Sequence, residues 1–155
     1  MNLNLNSAAY LSRYAVEDMI EKGTEGRIVN ISSVHGQVTW VHRRMLPYSA
    51  AKAGLNMFTK ALGVEVAKYG IRVNCVAPGF IYTKLSERYS PSDLVAFSHK
   101  IPVGRGGQVE EIVPMIQFLS DIEKARFIVG QVICVDGGQT SDGSIESMNF
   151  TIGEK

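Results

Sequence analysis

Nothing in this sequence is long and apolar enough to cross a membrane, since no hydrophobic run approaches the roughly 18 residues that a spanning helix requires. The opening residues, Met1-Asn-Leu-Asn-Leu-Asn6, lack the basic and apolar regions of a signal peptide, so a cytoplasmic location is expected. An excess of one charge is also missing. The 16 basic and 15 acidic residues leave a formal net charge of +1. With no basic stripe either, neither nucleic acid nor an acidic membrane surface is an expected partner. Cysteine is scarce: Cys75 and Cys134 stand singly inside apolar, strand-like runs and read as buried core thiols, not as a disulfide. The three histidines, His35, His42 and His99, show no ligand spacing, and a zinc site needs about four ligands, so no metal is expected.

What is present is an ordinary globular composition, 45% hydrophobic and 20% charged, in a chain whose 155 residues fit one domain. Helix-like and strand-like patterns alternate, which predicts an α/β fold with a parallel sheet. A helix is expected over about 4–22, with Leu5, Ala8, Ser12, Ala15, Met19 and Ile20 on one stripe. A strand from Arg27 to Ser33 and a loop from Val34 to about Leu46 follow. Pro47 suits the first turn of a long Ala-rich helix that ends at Gly70. Further strands are expected over 71–77 and 131–135, and helices over about 90–100 and 110–120. Asp136-Gly-Gly138 reads as a turn, and the tail from Gln139 to Lys155 as irregular or loosely docked. Ile28-Val-Asn-Ile31 and Val132-Ile-Cys-Val135 are apolar on both faces, as strands sandwiched between helices must be. In such sheets the ligand crevice lies at the C-terminal ends of the strands, where Ser33 and Pro78-Gly79 both fall.

Chemistry concentrates in Tyr48-Ser-Ala-Ala-Lys52. On a helix these two side chains share a face. A free phenol ionises near pH 10, and a fixed cation close by favours the ionised form. Ser33 can donate a hydrogen bond to a substrate oxygen and hold it against the phenol. A Tyr-x-x-x-Lys pair alone is a weak signal. A strand ending in Ser32-Ser33, the pair at the start of a helix, and a strand ending in Pro78-Gly79 together make a strong one.

Over about 4–138 the chain resembles the short-chain dehydrogenase/reductase family. The resemblance rests on Ile28-Val-Asn-Ile-Ser-Ser33, Tyr48-Ser-Ala-Ala-Lys52, Ile71-Arg-Val-Asn74, Pro78-Gly-Phe-Ile-Tyr-Thr83 and Asp136-Gly-Gly138, in that order. It implies a three-layer Rossmann-type α/β fold and an NAD(P)-dependent oxidoreductase. Hydride would pass between the nicotinamide and a carbonyl or secondary alcohol, of sugar, polyol or 3-oxoacyl type. Tyr48 is then the implied general acid/base, and Lys52 the cation that eases its ionisation and contacts the nicotinamide ribose. Ser33 polarises the substrate oxygen, with Ser32 as the fallback. Asn4 resembles the family's helix asparagine that holds a relay water, although Asn2 and Asn6 share its local pattern. Pro78, Gly79, Ile81 and Thr83 resemble the segment lining the nicotinamide. Residues from about Lys84 to Gly104 match the variable substrate lid, and Arg105, Glu110 and Glu111 read as structural. His42, Arg43, Arg44 and Met45, in a long loop, are candidate substrate contacts. The resemblance also implies a homo-oligomer, a dimer or tetramer, formed through the two long helices.

The family's glycine-rich phosphate loop is not in this sequence. The expectation is a truncated chain forming a single partial NAD(P)-binding domain over 1–155, with a family-like core at 1–138 and a tail at 139–155. It would carry the C-terminal part of the fold, about three strands with their flanking helices. The first strand would expose an unpaired edge, apolar helix surface would face water, and the cofactor would bind poorly without a pyrophosphate cradle. Whether NAD or NADP is used is unreadable, because the residue that decides it belongs to the missing half. The competing expectation is an inactive fragment that acts only as a helix-mediated association partner. A serine hydrolase is disfavoured by the lack of a Gly-x-Ser-x-Gly elbow.

Overall fold

The computed structural model of the chain describes residues 1–40 and 45–142. His42, Arg43 and Arg44 of the candidate substrate loop, and the tail beyond Asp142, lie outside the described residues.

The first helix, α1, spans Ser7–Glu21 and is entered through a π-helical turn, Asn2–Asn6. Its buried stripe is carried by Ser12 and Val16, while Ile20, expected on that stripe, is exposed. β1 follows at Gly26–Ile31, where the bare Gly26 leaves room for the Met19 thioether. α2 runs Leu46–Val66 and tightens into a 3₁₀ turn, Ala67–Tyr69, before Gly70. β2 is Ile71–Pro78, α3 Pro91–Ser98, α4 Val109–Ser120 and β3 Val132–Val135. Ser90 caps α3 as expected: its Oγ accepts from the Asp93 amide at 3.1 Å, and Asp93 Oδ2 accepts from the Ser90 amide at 3.2 Å. Arg105 makes a two-pronged ion pair with Glu111, at 2.8 and 2.7 Å, in front of α4. With the Gln108 amide, that guanidinium holds the Glu111 carboxyl down at about 2. The expected structural role of Arg105 and Glu111 is met.

The sheet is parallel, in the order β1-β2-β3. β2 is its centre, with Ile71, Val73, Cys75, Val76 and Ala77 fully buried. Alternation along the strands builds two cores. Ile71, Val73 and Ile28 face one way, against Val16 of α1 and Val66 of α2. Val76, Val29 and Ile133 face the other way, against Ile112 and Leu119 of α4. Helices on both faces complete the expected three layers. Asn74 knits them laterally: its Nδ2 donates to the Ile128 carbonyl, and its Oδ1 accepts from the Gln131 amide, both at 2.9 Å.

β1 ends the sheet among the described residues, so the expected open edge is present. Apolar side chains near it face solvent, Leu11 of α1 being 70% exposed. Cys75 is buried as expected, and burial pushes its thiol up to about 11. Cys134 differs from expectation. It is only half-buried, because β3 ends the sheet among the described residues, and its Sγ accepts from Gln37 Nε2 at 3.1 Å. Both thiols are free. No described helix is long and apolar enough to cross a membrane.

Leu119 is completely buried on the α4 face of the sheet. Leu119→Ala is expected to lower unfolding free energy by about 2–5 kcal/mol, read as a lower urea midpoint at unchanged slope.

Candidate active site

The parallel sheet delivers the ends of β1 and β2 to the same rim, and a cavity of about 580 Å³ opens there. Ser33, Tyr48, Pro78, Gly79, Ile81 and Thr83 all line it. These residues come from three separate segments, and the fold collects them at one place.

Ser32 and Ser33 continue β1 past its last ladder residue, the Ser32 amide donating to the Val76 carbonyl at 2.8 Å. The two hydroxyls then part company. Ser32 Oγ donates to the Lys52 carbonyl at 3.2 Å and so pins α2 to the sheet. Ser33 caps the 3₁₀ turn Val34–Gly36, its Oγ accepting from the His35 amide at 3.2 Å. An accepted bond on the Ser33 oxygen leaves its O–H available to donate. That difference favours Ser33 over Ser32 as the group that meets a ligand. The turn can lie against α2 only because residue 36 is glycine, since a Cβ there would sit 2.9 Å from the Lys52 carbonyl.

Tyr48 stands in the first turn of α2, half-buried, with its ring edge-on to His35 at 6.2 Å. Lys52 lies one turn further and is only 9% exposed. Its Nζ is 5.8 Å from the centre of the Tyr48 ring and donates to the Ile31 carbonyl at 2.8 Å. Burial lowers the Lys52 pKa, with the neighbouring Cys75 opposing the shift. A second tie, Asn30 Nδ2 to Thr59 Oγ1 at 2.9 Å, fixes the middle of α2 over β1. Asn4 sits half-buried in the π-helical turn, where Leu5 packs on Gly54 of α2, and it does not line the cavity.

On the opposite wall, Pro78 ends β2 and Gly79 passes close under the Asp136 turn, a Cβ there lying 2.8 Å from Asp136 Cα. The segment then pairs briefly, Ile81 with Gly107, before Thr83 caps the turn Lys84–Arg88. Gln139, expected to begin a loosely docked tail, is buried. Its Oε1 accepts from the Phe80 amide at 3.2 Å.

Sequence reasoning missed Trp40, Phe80, Tyr89 and Gln139, all of which line the cavity. Phe80 lies within the Pro-Gly segment and Tyr89 within the expected lid, so both were within reach of the motif reading. Trp40 and Gln139 carried no local signal. Met45, from the loop before α2, lines the cavity. No cluster of His, Cys, Asp or Glu fit for a metal occurs among the described residues.

Residues 1–140 match the family described as enoyl-(acyl carrier protein) reductase. The chain belongs to that family, within the short-chain dehydrogenases/reductases. A 3-oxoacyl-(acyl-carrier-protein) reductase FabG from Buchnera aphidicola subsp. Schizaphis graminum is 44% identical over 138 residues, covering 89% of this chain and 55% of that protein. A gluconate 5-dehydrogenase from Burkholderia cenocepacia J2315, solved with NADP and tartrate, is 33% identical with a TM-score of 0.84 over 92% of this chain and 55% of that one. A 4-hydroxyisoleucine dehydrogenase complexed with NADH is 35% identical with a TM-score of 0.85 over 91% of this chain and 58% of that one. The chain thus spans about half the length of the relatives it matches.

His35 supplies a pH test of this site. Burial lowers its pKa below the ordinary 6.5, with a bond to the Val38 carbonyl opposing. The unfolded chain therefore binds the proton first, and stability falls as pH drops below 6.5, while above 6.5 this group contributes no slope. Thermal melts of wild type and His35→Gln should diverge only on the acid side of that value.

Proposed function

We propose that this chain is the nicotinamide- and substrate-binding part of an NAD(P)-dependent oxidoreductase acting on a carbonyl or secondary alcohol. The single observation that carries the reading is the convergence of Ser33, Tyr48 and Pro78-Gly79 on one cavity, with the Lys52 ammonium behind the phenol. The residues present fit the nicotinamide end of the cofactor. Gly79 offers bare backbone to a ring, Ile81 is an apolar neighbour, and Thr83 stands at the cavity edge. When bound, NAD(H) or NADP(H) supplies or takes up the hydride. Relatives solved with NADP and with NADH leave both cofactors within the proposal.

In the reducing direction, the Ser33 hydroxyl donates to the substrate carbonyl oxygen and holds it beside Tyr48. The Tyr48 O–H delivers the proton to that oxygen as it gains charge, and in the oxidising direction the phenolate removes it. The Lys52 ammonium stabilises the phenolate that remains. Its bond to Ile31 fixes the amine near the ring before any ligand arrives. Asn4, in the π-helical turn that packs on α2, is assigned the water of a proton relay toward Lys52. The phosphate end of the cofactor needs a glycine-rich strand-turn-helix, which this sequence does not contain. The relatives' extra length is where such a segment is placed in this reading.

The same reading includes association of copies through α1 and α2. Tyr10, Leu11 and Tyr14 of α1 and Met57 and Val64 of α2 are exposed, Val64 at 75%. Exposed apolar residues on these two helices support that association. Val64→Arg is expected to shift the protein toward monomer in sedimentation. An unchanged distribution would remove α2 from the interface.

The mechanism is tested by fusing the N-terminal half of the Buchnera reductase ahead of Met1 and following nicotinamide absorbance with carbonyl substrates. Tyr48→Phe should lower turnover by roughly 10²–10⁴-fold, the range for loss of a general acid/base, without changing the fold. Undiminished turnover would rule out Tyr48 as the proton carrier.

A further inference from the structure

The end of the cavity facing Tyr48 is walled by rings drawn from two distant stretches of chain. Trp40 comes from the segment after Ser33, Phe80 from the end of β2, and Tyr89 from the turn before α3. Phe97 of α3, buried behind them, holds the set together. Its ring lies 5.5 Å from Trp40 in a stacked pair, 4.8 Å from Phe80 and 5.0 Å from Tyr89. Among the described residues, Met45, Ile81 and Leu85 add further apolar surface to the same cavity.

Several polar groups of that wall are already engaged with the protein, while Gln139 Nε2 is buried without a partner among the described residues and Arg88 is exposed at the rim. The Tyr89 hydroxyl accepts from Arg88 Nη2 at 3.1 Å, and the Arg88 guanidinium is turned over the Tyr89 ring at 5.1 Å. His35 Nδ1 is bonded to the Val38 carbonyl at 3.3 Å, and burial disfavours its charged form. Gln139 Oε1 is taken by the Phe80 amide. A polyol seated here would bury several hydroxyls with few partners, and each unpaired group weakens binding. A hydrocarbon body would instead gain from every methylene withdrawn from water.

From this wall we infer that the substrate is a carbonyl compound, or its secondary alcohol, with a hydrocarbon body next to the reacting carbon, and not a sugar or polyol. The inference rests on the oxidoreductase reading above and narrows its substrate. The reacting oxygen goes to Ser33 and Tyr48, the two hydroxyls at the polar end. The remainder lies along Trp40, Phe80 and Tyr89, with Phe97 as the positioning residue behind them.

Trp40 is the sole tryptophan of the chain, so its emission reports on this wall and on no other surface. The experiment titrates the 155-residue protein with 2-butanol, 2-hexanol, 2-octanol and sorbitol while following tryptophan emission. The emission should shift to the blue with the 2-alkanols, and affinity should rise by roughly threefold or more per added methylene. Sorbitol should leave the spectrum unchanged. Phe97→Leu, which removes the stacking partner of Trp40, should flatten the chain-length series. A wild-type series already flat, no response to any alkanol, or a response to sorbitol matching that to 2-octanol overturns the inference, whatever the variant does. The broader reading fails separately. In the Buchnera fusion, NAD(P)-dependent turnover of sorbitol but not 2-octanol would keep the redox assignment and sink this one. A steep alkanol series with no turnover of either compound would do the reverse.

Discussion

The parallel pairing of β1 with β2 is the constraint on which the rest depends. Parallel strands end at the same rim, so whatever follows each strand is delivered to one side of the sheet. Here Ser33 follows β1 and Pro78-Gly79 closes β2. An antiparallel arrangement would separate them by the length of the sheet. The register, Ile31 opposite Val76, also sets the level at which Ser32 bonds the Val76 carbonyl. From that level the chain turns through Val34–Gly36 and lays Tyr48 and Lys52 over the rim.

Polar groups in the interior of this half-domain are used as ties between layers. Ser32 binds the Lys52 carbonyl, Asn30 binds Thr59, and Lys52 itself binds the Ile31 carbonyl. Each tie joins α2 to β1, and each satisfies a group that would be costly to leave unpaired in a buried place. The consequence is functional. The helix bearing the phenol and the ammonium is fixed against the strand bearing the serine, so the site does not depend on the loop between them for its geometry. The loop and α3 instead supply rings, which shape the part of the cavity where a substrate body would lie.

Much of this was legible in the sequence. Apolar runs without alternation announced strands covered on both faces, and the observed cores on opposite sides of β2 are that pattern realised. Pro47 and Ser90 marked helix starts within a residue or two, and Gly70 the end of the 3₁₀ turn that follows α2, because capping is local chemistry. What stayed hidden was long-range. Cys134 looked as buried as Cys75, yet β3 ends the sheet among the described residues and leaves it half-covered. Ile20 fitted a helical stripe, but the side of α1 that meets the sheet carries Ser12 and Val16 and leaves Ile20 exposed. Trp40 and Gln139 meet the cavity only through partners far along the chain, Phe97 and Phe80, which no local pattern reveals.

The side-chain geometry around the phenol is the point at which the account can be met most directly. A nuclear Overhauser spectrum of the protein with labelled tyrosine, lysine and histidine reads it without any ligand. The predicted result is cross-peaks from the Tyr48 ring to both the Lys52 side chain and the His35 ring. A Tyr48 ring with cross-peaks to neither, and only to residues on the outer face of α2, would contradict the assignment of this rim as an active site.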